Sequence, residues 1–76
     1  MRWEVNHLDA CKMMIAARGG CQVAADVPGA GLDTWVELKA HKYAESCETG
    51  LDGEKGFRIT DAGRAAYKIE MARTRM

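Results

Sequence analysis

Apolar residues recur along the chain in changing rhythms, and each rhythm predicts an element. Leu8, Cys11 and Ile15 fall at helical spacing with Met14 beside them, which predicts a first helix ending near Arg18. Asn6 or Asp9 is positioned to cap it, because a short side-chain oxygen accepts from the free amides of a first turn. Trp3 or Val5 can fold back on that end, and the Met13-Met14 pair reads as core filling ahead of a soft partner surface. Arg18-Gly19-Gly20 then supplies a stop, a cation followed by residues that accept a left-handed backbone.

The next segment is short and reads two ways. Val23, Ala24 and Val27 lie at i, i+1 and i+4, enough for two helical turns, while Cys21, Val23 and Ala25 alternate as a strand would. A short second helix over 21–27 is the preferred reading. Pro28-Gly29-Ala30-Gly31 is a turn, and no Gly-Lys-Ser/Thr follows to make it a phosphate loop. Leu32, Trp35, Val36 and Leu38 predict one face of a third helix, opening at Asp33 or Thr34 and running to about His41.

Residues Tyr43 to Glu48 can extend, and the Asp52-Gly53 dipeptide marks a hairpin because both turn positions tolerate positive φ. Phe57 and Ile59 alternate with Arg58 and so share one strand face, expected to be buried with Trp35 and Leu38. Thr60 can cap the closing helix with its hydroxyl, and Asp61 suits that helix's positive end. This helix is expected from Asp61 to about Arg73, with Ala62, Ala65, Ala66, Ile69 and Ala72 as its apolar stripe. Tyr67 and Met71 fall off that stripe, which marks them as candidates for a homodimer contact.

Charge changes the picture more than composition does. Seventy-six residues make one domain, spanning 1–76, with a modest core. The eleven bases and eleven acids cancel, but unevenly. Residues 31–54 hold Asp33, Glu37, Glu45, Glu48, Asp52 and Glu54 against Lys39 and Lys42. Residues 55–76 hold Lys55, Arg58, Arg64, Lys68, Arg73 and Arg75 against Asp61 and Glu70. Two patches of opposite sign point to a binding surface.

No apolar run approaches a membrane span, and no signal-peptide core opens the chain. With three cysteines and no Cys-x-x-Cys pair, the expectation is a cytoplasmic protein with reduced thiols, no metal and no cofactor. Cys21, Cys47, His41 and His7 match no zinc spacing. An enzyme is not expected: Ser46, the only serine, lacks a nucleophile elbow, and Asp33 with Glu37 reads as a solvated helix face.

Residues 35–66 resemble the winged helix-turn-helix family, whose pattern is a leucine-lysine helix end, a short wing hairpin and an Ile/Leu-Thr-x-x-Gly-Arg helix start. Here it stands as Leu38-Lys39, Tyr43, then Phe57-Arg58-Ile59-Thr60-Asp61-Ala62-Gly63-Arg64. The resemblance implies a mainly α fold with a small β-hairpin: three helices, a two-stranded wing and a C-terminal helix. It implies a DNA-binding transcriptional regulator, with Thr34, Lys39 and Lys42 on the recognition helix, Lys55 and Arg58 on the wing, and Arg64 at a phosphate. Winged helices also serve as protein adaptors, and some small phage proteins use related folds to block host machinery. In that alternative Asp33, Glu37, Asp52 and Glu54 imitate nucleic-acid charge and dock on a nucleic-acid-binding protein.

Overall fold

Alternation of helix and strand along the chain builds a three-helix framework around a three-stranded antiparallel sheet of order β1-β3-β2. The computed structural model describes residues 2–49 and 53–74. The elements are α1 (Val5–Ala16), β1 (Gln22–Val23), α2 (Leu32–Ala40), β2 (Ala44–Thr49), β3 (Glu54–Ile59) and α3 (Asp61–Thr74). Two 3-10 turns, Arg18–Gly20 and Ala24–Asp26, flank β1. Asp52 of the hairpin signal lies outside the described residues, but the hairpin itself pairs Ala44 with Ile59 through Thr49 with Glu54.

The core gathers Ala10, Cys11 and Met14 of α1, Val27 ahead of α2, Trp35 and Leu38 of α2, and Ala44 and Ile59 of the sheet. Phe57 packs on it half-buried. Ile15, expected on the inner stripe of α1, is instead 38% exposed, and Met14 takes its place. Helix α1 also begins earlier than Asn6 or Asp9 would set it. Glu4 is the cap, and its backbone N–H donates to His7 Nδ1 at 3.0 Å.

The segment 21–27 is not an α-helix. Gln22 and Val23 pair with Phe57 and Gly56 of β3, and Ala24–Asp26 make a single 3-10 turn. The alternation of Cys21, Val23 and Ala25 carried the correct signal for its first half, because a free edge of β3 was there to pair with. The expected two-stranded wing thereby gains a third strand. Cys21 and Cys47 are also bonded to each other, their Cα atoms 6.1 Å apart, which corrects the expectation of three reduced thiols. The bond joins the segments on either side of β3. Gly56 stands opposite both Val23 and Cys47, and a Cβ there would collide with the Gln22 carbonyl oxygen. Only glycine lets β1 approach β3 this closely.

Helix α2 ends in a Schellman arrangement. Tyr43 N–H donates to Leu38 O at 2.9 Å and Lys42 N–H to Lys39 O at 3.0 Å, with Lys42 at φ 61° where glycine is usual. The start of α3 clamps onto this turn. Thr60 Oγ accepts from Gly63 N–H at 3.0 Å, as its capping role requires, and donates to Lys42 O at 2.6 Å. Thr60 N–H donates to Tyr43 O at 3.0 Å.

Helix α3 is rotated relative to the expected stripe. Gly63 is buried, and Ala66, Tyr67, Glu70 and Met71 are half-buried, whereas Ala62, Ala65, Ile69 and Ala72 are exposed. Tyr67 therefore packs on the core rather than standing clear of it.

Candidate functional site

Helix α2 divides sharply into an inner and an outer face. Thr34, Trp35 and Leu38 are buried, while Leu32, Asp33, Val36, Glu37 and Lys39 are exposed. Leu32 and Val36 were expected inside with Trp35 and Leu38, yet they are 78% and 55% exposed. A helix with one apolar arc centred on Trp35 and Leu38 has no room for residues a further quarter-turn away. The outer face carries two adjacent rows at i,i+4 spacing, one apolar (Leu32, Val36) and one acidic (Asp33, Glu37). Lys39 lies on the flank away from the acids.

Glu37 is fixed in place from α1. His7, 3% exposed, has its Nδ1 occupied as acceptor for Glu4 N–H, which leaves Nε2 to donate to Glu37 Oε2 at 3.0 Å. The Glu37 side chain remains 49% exposed. A buried imidazole thus holds an acidic group at the surface, and neither end of the ring is left without a partner.

The residues assigned to nucleic-acid contact do not converge. Thr34 is 7% exposed and lies inward, so it cannot reach a base edge, which removes it from a reading surface. Lys55 and Arg58 stand three positions apart on β3 and so point to opposite sheet faces. Each also faces an acid across the hairpin: Glu48 opposes Lys55 and Glu45 opposes Arg58. Side chains directly opposite on neighbouring strands have Cβ atoms about 5 Å apart, close enough for each acid to offset its base. Glu54 is exposed at the other end of β3, opposite Thr49. Lys39 and Lys42 are exposed at the C-terminal end of α2, and Arg64 is exposed one turn into α3.

A second surface lies between α1 and α3. Ile15, Tyr67, Met71 and Ala72 form an apolar groove of about 560 Å³, edged by Arg64 and Lys68. Expected as outward contact residues, Tyr67 and Met71 are instead half-buried as the floor of this groove. Its basic edge was not foreseen, although Arg64 and Lys68 at i,i+4 spacing were the available signal.

Cys11 is fully buried, and burial pushes its thiol up to about 11, so it is inert as a nucleophile at neutral pH. Among the described residues no group of three His, Cys, Asp or Glu side chains is placed to hold a metal ion, and no helix is long and apolar enough to cross a membrane. Comparison with protein-family models, curated proteins and solved structures found no match.

Proposed function

We propose that this chain is a small binding module of winged-helix type whose working surface is the outer face of α2, and that it docks on protein rather than reading DNA. The observation that carries the proposal is the pairing of two exposed apolar residues, Leu32 and Val36, with two acids, Asp33 and Glu37, on the helix that would otherwise enter a groove. Phosphates repel the acidic row, and exposed Leu and Val gain from a desolvated protein contact. A surface with bases beside apolar positions, such as that of a nucleic-acid-binding protein, is the complementary partner. The winged-helix assignment is supported by the hairpin after α2, the sheet order β1-β3-β2, and the Thr60-capped helix that follows the wing.

DNA binding is the second reading, and one observation favours it. Lys42 holds a left-handed backbone where glycine costs less, and such positions tend to be retained for the side chain they present. Lys39, Lys42 and Arg64 are all exposed around that junction. The double change Asp33→Asn, Glu37→Gln separates the readings by sign. It weakens capture of a basic partner under protein docking and strengthens duplex binding under DNA recognition. The amide oxygen introduced by Glu37→Gln still accepts from His7, so the fold is retained. Stronger duplex binding in the double variant overturns the protein reading.

A further inference from the structure

The outer face of α2 and the α3 groove are complementary in chemistry and in spacing. On α2, an acidic row at i,i+4 (Asp33, Glu37) runs beside an apolar row (Leu32, Val36). On α3, a basic row at i,i+4 (Arg64, Lys68) runs beside an apolar row (Tyr67, Met71), with Ile15 of α1 as the far wall. Residues one turn apart sit about 6 Å apart on either helix, so two charges on one meet two on the other without strain. Helix α1 packs against both α2 and α3, which share it as a neighbour.

We propose that the occupant of the α3 groove is the α2 face of a second copy of this chain. The proposal rests on the α2 reading above and names its partner. Leu32 and Val36 enter the groove against Tyr67, Met71 and Ile15, while Asp33 and Glu37 meet Arg64 and Lys68. A symmetric pairing of two α3 grooves places Arg64 and Lys68 of both copies together, and four like charges repel. The contact is therefore between unlike faces, α2 of one copy against α3 of the other. Made once, it leaves one α2 face and one groove unused in the pair, which either close on each other as a reciprocal two-fold dimer or extend the assembly as concentration rises. The balance of the chain, neutral overall but acidic over residues 31–54 and basic over 55–76, is what such an arrangement requires.

Sedimentation of the full chain over a range of concentrations at low salt tests this, with Asp33→Lys and Lys68→Glu as variants at exposed positions. The wild type is expected to gain mass with concentration, to a dimer or beyond, and to lose it when salt is raised to about 0.5 M. Each variant alone is expected to associate about tenfold more weakly. An equimolar mixture regains association, because the Asp33→Lys chain keeps its groove and the Lys68→Glu chain keeps its α2 face. Circular dichroism confirms that each variant is folded, and the salt response of the wild type reads the same contact without any mutation. A monomer at every concentration overturns the proposal. So do wild-type association that salt does not move, an Asp33→Lys change that leaves association intact, and a mixture that fails to pair. A chain that stays monomeric rejects self-docking alone, since duplex titration decides the reading of α2 separately.

Discussion

Trp35 and Phe57 lie face to face, with ring centroids 4.7 Å apart and planes 5° from parallel. The stack ties α2 to β3, and it thereby fixes which side of α2 faces outward. With Trp35 pinned to the sheet, Leu32, Asp33, Val36 and Glu37 are held toward solvent. The Trp35 Nε1–H is buried with no acceptor among the described residues, a cost that the ring contacts offset. Trp35→Ala is expected to lower unfolding free energy by about 3–5 kcal/mol in urea titration. Trp35→Phe removes the orphan N–H along with part of the ring, and its effect is expected to stay within about 1 kcal/mol. Equal losses in the two variants contradict the stacked arrangement.

Gly63 offers a test in which local propensity and packing disagree in sign. In a free helix, Gly63→Ala stabilises by about 1 kcal/mol. Here a Cβ would collide with Tyr43 O and lie 2.8 Å from Ile59 Cγ1. The turn after α2 and the start of α3 would have to separate, breaking the contact Thr60 makes with Lys42. Gly63→Ala is therefore expected to destabilise by about 2 kcal/mol or more, and a rise in the denaturation midpoint contradicts the close approach.

Lys42 gives the opposite result. Its φ of 61° is a left-handed value that costs an L residue about 1 kcal/mol. Lys42→Gly is expected to stabilise the fold by about 0.5–1 kcal/mol, because the Schellman hydrogen bonds are made by backbone alone. An unchanged or lower midpoint shows that the lysine side chain supports the turn.

Thiol counting checks the cysteines. Without reductant, the native chain is expected to show no reactive thiol, and the denatured chain one, Cys11. Denaturation with reductant exposes all three. Cys47→Ser, by opening a 26-residue link, is expected to cost about 3 kcal/mol. The Cys11 thiol sits above its ordinary value of 9.0, at about 11, because its thiolate is desolvated. Its contribution to stability is complete below pH 9 and is lost as pH climbs through 11, so the alkaline limb of the stability profile falls in that window. Three reactive thiols in the native, unreduced chain contradict both the disulfide and the burial.

Local signals read well where a residue's fate was set by its neighbours in sequence. The hairpin, the Thr60 cap, and the burial of Trp35, Leu38 and Ile59 were all legible, because period and capping chemistry act within a few residues. Fates set by distant partners were not. Residues 22–23 became a strand because β3 offered an edge, and no local pattern outweighed the helical spacing of Val23, Ala24 and Val27. Alanine-rich α3 carries a weak apolar signal, so Tyr67 and Met71 rather than Ile69 turned inward. At the site, the acidic pair on α2 was visible from spacing. The inward turn of Thr34, the His7 support under Glu37, and the basic groove opposite were not, because each depends on which arc of a helix the core selects.

The measurement closest to the central claim is a titration of a fluorescent DNA duplex with the wild-type chain at low salt. If the outer face of α2 is built for protein, the acidic row and the cross-strand acids of the β2–β3 hairpin keep binding weak. No saturation is then expected up to about 100 µM, against the micromolar or tighter affinities of proteins that neutralise several phosphates. Saturable micromolar binding, with log Kd rising steeply with log salt, contradicts the account and makes Lys39, Lys42 and Arg64 the working surface.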